Sequence, residues 1–200
     1  MHLNFKHTKI NNKKVEKGLS LIESAMVLAL AATVTAGVMF YYQAASDSNK
    51  TQAAISEVMS ATSAINGLYI GQNGYTGLDG SVLKNSSAIP ENYKNGSNIM
   101  NPFGGKLEVG AANAGIGYGY HLTLTELPKS ACISLATLNL GTSAYGYGIG
   151  IETPANHNSF NNSNTPASGA SVAKKDALSP SDASGVCQDG NNNKVTYFMK

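Results

Sequence analysis

Among the residues able to do chemistry, Glu23 stands out. It lies in the stretch KKVEKGLSLIESAMVLALAATVTAGVMFYY, Lys13 to Tyr42, just inside an apolar run that follows a lysine-rich head. An ionised carboxylate taken into hydrocarbon costs several kcal/mol unless it is paired, so Glu23 calls for a cation. Cys132 and Cys187 are the only cysteines; they stand far apart and form no CxxC, which sets aside a dithiol redox centre. In an oxidising compartment an even count suggests one disulfide, and closing a loop of about 56 residues would restrict the unfolded chain by roughly 4 kcal/mol; two buried free thiols are the alternative. His121 and His157 stand alone, and no HExxH, P-loop, GxSxG or complete GxGxxG occurs. The expectation is therefore no catalytic residue, no metal and no cofactor.

The element that must position Glu23 is the apolar run. From Ser24 to Ser46 there is no charge, and about 23 residues at roughly 1.5 Å each reach about 35 Å, enough to span a hydrocarbon layer of roughly 30 Å. The lysines before it predict a cytoplasmic N-terminus, and Tyr41 and Tyr42 suit the far interface. Everything after Asp47 is then expected outside the cytoplasm. Three readings compete. A secretory signal has a shorter apolar core, with Gln43-Ala44-Ala45 as a weak cleavage site here. A static anchor fits the length but leaves Glu23 unexplained. A cut after Gly18 keeps the run and puts Glu23 four residues behind a new amine at Leu19.

Composition narrows the function further. Charged residues make up only 13% of the 200-residue chain, and all 14 basic ones are lysines. Residues 1–18 carry a balance of +4, so the net +2 of the whole chain leaves −2 for the rest. Neither pattern suits a nucleic-acid surface. Past Asp47 the apolar pattern becomes one-sided, with Ile55, Val58, Met59, Thr62, Ile65 and Tyr69 at helical spacing. One helix from about Leu19 to about Ile70 follows, ended by Gly71, Gly74 and Gly77, its second half lying on a globular core.

Beyond the helix, residues 83–105 read as a loop-rich connection with one short helical turn. Lys106–Val109 and residues 118–127 read as strands, the latter with Tyr118, Tyr120, Leu122, Leu124 and Glu126 on one face and His121, Thr123 and Thr125 on the other. Residues 145–152 and 194–199 supply two more strands, and SACISLATLNLG a helix between. The tyrosine pairs at 118/120 and 145/147 read as cross-strand packing rather than a ligand platform, and the glycines between them as room for another backbone. The fold class is α+β, an antiparallel sheet wrapping the amphipathic half of one long helix.

KGLSLIESAMVLALAATVTAGVMFYY resembles the processing signal of type IV prepilins: a basic leader, Gly before the cut, then a hydrophobic helix with Glu as its fifth residue. Leu rather than Phe after the cut is similar to the type IVb branch. SATSAINGLYIGQ, NPFGGKLEVG, ACISLATLNLGTSA and NKVTYFMK extend the resemblance to the type IVb pilins that build bundle-forming pili. It weakens before Lys13 and from Thr153 to Ser171. The resemblance implies the type IV pilin fold, with the apolar half of the helix protruding and a disulfide-closed C-terminal region. It implies a leader, 1–18, removed between Gly18 and Leu19 with N-methylation of Leu19; a membrane and filament-core segment, 19–46; and a globular domain, 47–200. It implies a major structural subunit that polymerises with itself for autoaggregation and host-cell adherence, starting in the inner membrane and ending in an extracellular pilus. The implied partners are a prepilin peptidase, an assembly ATPase with its inner-membrane platform, an outer-membrane secretin and host-cell surface ligands. A type II secretion pseudopilin, a minor pilin and a membrane-tethered binding domain are the competing readings.

Overall fold

The computed structural model describes residues 20–161 and 171–200. The expectations for Gly18, Leu19 and much of the Asn/Ser-rich 153–171 stretch therefore fall outside the described residues. The chain divides into two compact units, Met1–Gln43 and Ala44–Lys200.

Helix α1 (Leu21–Leu68) is a single run of 48 residues. It contains no proline, since the first in the chain is Pro90, and it is rich in Ala, Leu and Met, all strong helix formers. It stops where Gly71 takes the left-handed conformation, φ +81°.

In the second unit, α1 buries Ala54, Glu57, Val58, Ala61 and Ile65. The expected stripe is thus rotated by roughly 75° at about 100° per residue. Met59, expected in the core, is 59% exposed. The pattern of large side chains misplaces the stripe, because Ala54 and Ala61 are part of the buried face.

That sheet has five strands, β3 (Leu107–Ala111), β4 (Tyr120–Leu127), β5 (Ala144–Ile149), β6 (Val172–Lys174) and β7 (Asn193–Met199), in the order β3-β4-β7-β5-β6. All neighbours are antiparallel. The strand near the C-terminus thus lies at the centre. Helices α2 (Gly80–Lys84), α3 (Lys129–Ala136) and α4 (Pro180–Val186) and a small hairpin, β1 (Lys94–Asn95) with β2 (Asn98–Ile99), complete the unit. The expected helix at SACISLATLNLG is shorter than its pattern, ending at Ala136.

Tyr120, Leu122, Leu124, Val195, Tyr197 and Tyr147 join the α1 face in the main core. The other face of the sheet is also covered. Tyr118, Ile151, Ala173 and Phe198 form a second cluster, with Ala112, Ile116, Tyr145 and Phe160 against it. Two expectations change here. Tyr118 precedes β4 and packs on the opposite side from Tyr120, and Tyr145 and Tyr147 are divided likewise between the two clusters. Glu126 leaves the expected face because β4 bulges between Leu124 and Leu127, with Glu126 at φ +55°; Leu127 takes the core position and Glu126 is exposed.

Glycines 146 and 148 occupy the outer face of β5. A Cβ on Gly146 would lie 2.6 Å from the Phe160 ring and 2.8 Å from the Lys174 carbonyl oxygen, and one on Gly148 3.2 Å from that of Val172. The close backbone approach expected of Gly146, between the second pair of tyrosines, is that of β6.

Candidate assembly site

Glu23 lies in the first turn of α1. Its Oε2 accepts a hydrogen bond from the Ser20 backbone N–H at 2.8 Å, and the Ser20 carbonyl accepts from the Ser24 N–H at 3.0 Å. This is the Glu half of a capping box, Ser20-x-x-Glu23, which satisfies one of the donors that every helix start leaves open. Ser and Glu at this three-residue spacing ahead of an apolar run are the sequence mark of such a box.

The rest of the first unit suits an apolar surrounding. Among its described residues, the large hydrophobic side chains range from 59% exposed at Val27 to 86% at Leu21. The serine and threonine hydroxyls among them turn inward to the helix. Ser24 Oγ donates to the Leu21 carbonyl at 3.0 Å, Thr33 Oγ1 to that of Leu30 at 2.9 Å and Thr35 Oγ1 to that of Ala31 at 2.8 Å. Backbone groups and the serine and threonine hydroxyls thus find partners within the helix, as a hydrocarbon layer or a dry helix bundle requires. The helix is long and apolar enough to cross a membrane.

Cys132 of α3 and Cys187 at the end of α4 are joined in a disulfide, with Cα atoms 6.0 Å apart across a separation of 55 residues. Both are buried. The bridge ties α4 to α3; beside it the Leu178 N–H, just before α4, donates to the Ala136 carbonyl of α3 at 3.1 Å, and the Tyr197 hydroxyl of β7 holds α3 to the sheet by donating to the Leu135 carbonyl at 2.8 Å. Asn193, buried at the start of β7, donates from Nδ2 to the carbonyls of Leu127 at 3.0 Å and Gln188 at 2.9 Å. Its Oδ1 accepts from the Gln188 N–H at 2.7 Å, which fixes the turn after Cys187. In the same region Lys174 Nζ meets Asp182 Oδ2 at 2.7 Å, and hydrogen bonds from Lys174 and Ser179 hold that carboxyl below its ordinary range.

The two lone histidines are apart in structure as in sequence. His121 is buried on the outer face of β4, where desolvation pushes its pKa down to about 4, and its Nδ1 has no partner. His157 stacks on Phe198, ring centroids 5.5 Å apart, with Nε2 2.7 Å from the Ser159 carbonyl. Among the described residues, no group of three or more His, Cys, Asp or Glu gathers that could hold a metal ion.

Sequence reasoning missed Glu57. It is 5% exposed, neither carboxyl oxygen has a hydrogen-bond partner, and burial raises its pKa to about 8. Its signal was its spacing: it falls three residues after Ala54 and four before Ala61, on a buried face that becomes visible once alanines count as core.

A long apolar helix, a sheet with the C-terminal strand at its centre and a disulfide joining the two C-terminal helices together define a type IV pilin fold. The crystal structure of a type IVb pilin from Salmonella typhi superposes with a TM-score of 0.52 at 17% identity, over 76% of this chain and 99% of that one, a likeness of fold. The family model described as bundlin matches residues 43–200. The major structural subunit of the bundle-forming pilus of Escherichia coli O111:H- is 66% identical over 196 residues, covering 96% of this chain and 99% of that protein. Its counterpart from E. coli O127:H6 (strain E2348/69 / EPEC) is also 66% identical over 196 residues, with the same coverage. The chain belongs to the bundlin family.

Proposed function

We propose that this chain is the major structural subunit of a type IVb bundle-forming pilus, a non-enzymatic protein that polymerises through α1. The observation that carries the reading is an exposed apolar helical segment, residues 21–42, whose serine and threonine hydroxyls are satisfied internally and whose one carboxylate lies in its first turn. Likeness to relatives titled as major subunits favours this over a pseudopilin or a minor pilin.

In this reading residues 1–18 are a leader, removed by a prepilin peptidase between Gly18 and Leu19, and Leu19 is N-methylated. Residues 19–46 anchor the precursor in the inner membrane and then enter the filament core, while 47–200 form the pilus surface. An assembly ATPase, its inner-membrane platform and a secretin drive and pass the filament, which serves autoaggregation and adherence to host cells. The cut creates the cation that Glu23 lacks. Oε2 of Glu23 accepts from Ser20 within the chain, and a carboxylate has a second oxygen to face the Leu19 amine of a neighbouring copy. The helix dipole contributes only about 0.3–1 kcal/mol to a carboxylate in the first turn. Truncating one member of a buried ion pair costs about 3–5 kcal/mol, so the pair both stabilises the core and sets axial register.

The test is to make Glu23→Gln and Glu23→Ala precursors in piliated cells. Both are expected to insert and to yield a mature N-terminus at methylated Leu19, yet to leave little pilin in the sheared extracellular fraction. Wild-type amounts of sheared pili from either variant would end the pairing model, and an N-terminus at Met1 or Ser46 would end the processing model.

A further inference from the structure

The chain holds three Asn-Gly pairs, Asn66-Gly67, Asn73-Gly74 and Asn95-Gly96. Such a pair can react with itself, because glycine has no Cβ to keep its own nitrogen from the asparagine side chain. Ring closure needs the Cα–C bond of the asparagine to turn until the next nitrogen lies against Cγ, an angle that neither a helix nor a strand residue holds. The fold treats the three pairs differently. Asn66 and Gly67 lie inside α1, where the Gly67 N–H belongs to the helix ladder, and Asn66 Oδ1 accepts from the Tyr120 hydroxyl at 3.4 Å. Asn95 ends β1, paired with Asn98 of β2, and the Gly96 carbonyl accepts from Lys84 Nζ. Asn73 and Gly74 lie between α1 and α2, both exposed, and neither backbone N–H has a backbone acceptor among the described residues. A Cβ on Gly74 would meet nothing within 4 Å, so the space beside it is open. The chain is held on either side of this pair. The Gln72 N–H donates to the Tyr69 carbonyl at 3.0 Å, and Tyr75 packs on Tyr120, ring centroids 4.6 Å apart, with its hydroxyl donating to the Lys200 carbonyl at 2.9 Å.

We propose that Asn73 is a self-modifying site, whose side-chain amide is lost without an enzyme to leave a carboxylate in the loop after α1. The Gly74 nitrogen attacks Cγ of Asn73 and forms a new N–Cγ bond. The bond from Cγ to the side-chain nitrogen breaks, and ammonia leaves carrying the proton that the Gly74 nitrogen gives up. The product is a five-membered succinimide, which water then opens. Opening between Cγ and the nitrogen leaves aspartate at position 73; opening between the backbone carbonyl carbon and the nitrogen leaves isoaspartate, with the chain running through Cβ. Amide and water become carboxylic acid and ammonia, and nothing is oxidised or reduced. The Gly74 N–H gives up its proton most readily in alkaline solution, so the rate rises with pH. From Val58 to Leu78 the chain carries no charge. The reaction therefore places a carboxylate in an uncharged stretch and makes an old chain more acidic than a new one. It needs only the folded chain, so the site stands independently of the pilus-subunit reading.

The experiment incubates the disulfide-bonded protein in detergent, in oxygen-18 water at neutral and at alkaline pH, and maps Asn66, Asn73 and Asn95 by fragmentation mass spectrometry after digestion in ordinary water. Oxygen-18 taken into a new carboxyl group marks conversion during the incubation. Asn73 is expected to convert at least about tenfold faster than Asn66 or Asn95, the factor imposed where about one net hydrogen bond must break first, and faster still at alkaline pH. In the reduced chain in urea the three rates are expected to converge, since each pair is then Asn-Gly in open chain. No conversion at Asn73 in the folded protein, equal rates at the three pairs, or a lead by Asn66 or Asn95 would overturn the assignment. A lead by Asn73 that persists undiminished in urea would overturn it too, because the selectivity would then owe nothing to the fold. Asn73→Gln, whose side chain would have to close a larger ring, supplies a second measurement. The acidic species that accumulates on isoelectric focusing of the parent is expected to be largely lost in this variant, and its persistence at the parental level would overturn the site.

Discussion

Replacing Glu57 by glutamine is expected to make the globular unit more stable at neutral pH and to change the shape of its pH profile. Burial raises the Glu57 carboxyl from 4.5 to about 8, and lowers His121 from 6.5 to about 4. A carboxyl that stays protonated in the fold but ionises in the unfolded chain makes stability fall as pH rises from 4.5 to about 8, by about 1.36 kcal/mol per unit. A histidine held neutral in the fold acts oppositely, so its contribution is complete above 6.5 and is lost as pH falls towards 4. Between 4.5 and 6.5 the two slopes cancel, giving a plateau; between 6.5 and 8 Glu57 acts alone, and stability falls by roughly 2 kcal/mol. At pH 7 keeping the proton on Glu57 costs about 3 kcal/mol, so Glu57→Gln raises the melting temperature on the order of 5–10 °C there and little near pH 4.5. Asp182 and Asp79, held below their ordinary 3.8, act only in more acid solution. Urea unfolding of the disulfide-bonded protein in detergent, followed by tyrosine fluorescence from pH 4.5 to 8, reads both curves. Parallel curves for parent and variant between pH 6.5 and 8 would refute the reasoning, because they would mean that Glu57 ionises in the fold as easily as outside it.

Cys187→Ser opens the 55-residue separation between the bridged cysteines and is expected to cost about 4 kcal/mol in the chain-entropy treatment, lowering steady-state pilin. Alkylation of the wild-type protein under non-reducing conditions should find no free thiol, and two alkylated cysteines would contradict the bridge. Gly146→Ala drives a methyl to 2.6 Å from Phe160 and 2.8 Å from the Lys174 carbonyl; the expected loss is about 1–3 kcal/mol in urea or thermal unfolding, and an unchanged midpoint would show that β6 moves aside freely. Gly18→Val is expected to leave full-length precursor in the inner membrane with no pili, and normally processed, piliated cells would remove the cleavage model.

Periodicity revealed α1, β3, β4, β5 and β7, because each carries enough large apolar residues for its repeat to emerge. It missed β6 and α4: Val172–Lys174 is too short to alternate, and Pro180–Val186 is mostly small and polar, its start fixed by the Ser179 side chain accepting from the Asp182 N–H. Neither element declares itself until β5 and the disulfide are in place to receive it. The outer face of the sheet was hidden for a related reason. His121, Thr123 and Thr125 form a polar strand face with no core signal of its own, yet Thr123 and Thr196 bond to each other at 2.9 Å across β4 and β7, and Phe160 arrives from a polar loop to pack on that side. A polar strand face is covered when its hydroxyls can pair and a distant aromatic can reach it, and the second condition is a tertiary fact. At the assembly site the residue types that set Glu23 apart were legible, whereas the capping role of its carboxylate was obscured by attention to its charge.

Glu23 and Glu57 sit on one helix in opposite surroundings, the first exposed and the second buried. Glu57 is enclosed by its own domain, with no donor to its oxygens, so the fold favours the protonated form and bears the cost within the monomer. Glu23 lies in an exposed apolar segment and accepts a hydrogen bond from the Ser20 N–H. A protonated Glu23 could enter an apolar core at any axial offset, because a neutral group demands no particular neighbour. An ionised one can enter only where a cation awaits it, and in the proposed filament the neighbouring copy offers that cation once, at the amine created by cleavage. The pairing energy alone does not confer this selectivity, since a buried pair often does no better than two well-packed apolar groups. It comes from the heavy cost of every other offset, so an uncleaved precursor, which lacks the amine, is disfavoured in the filament by the same charge that fixes the register of a mature copy.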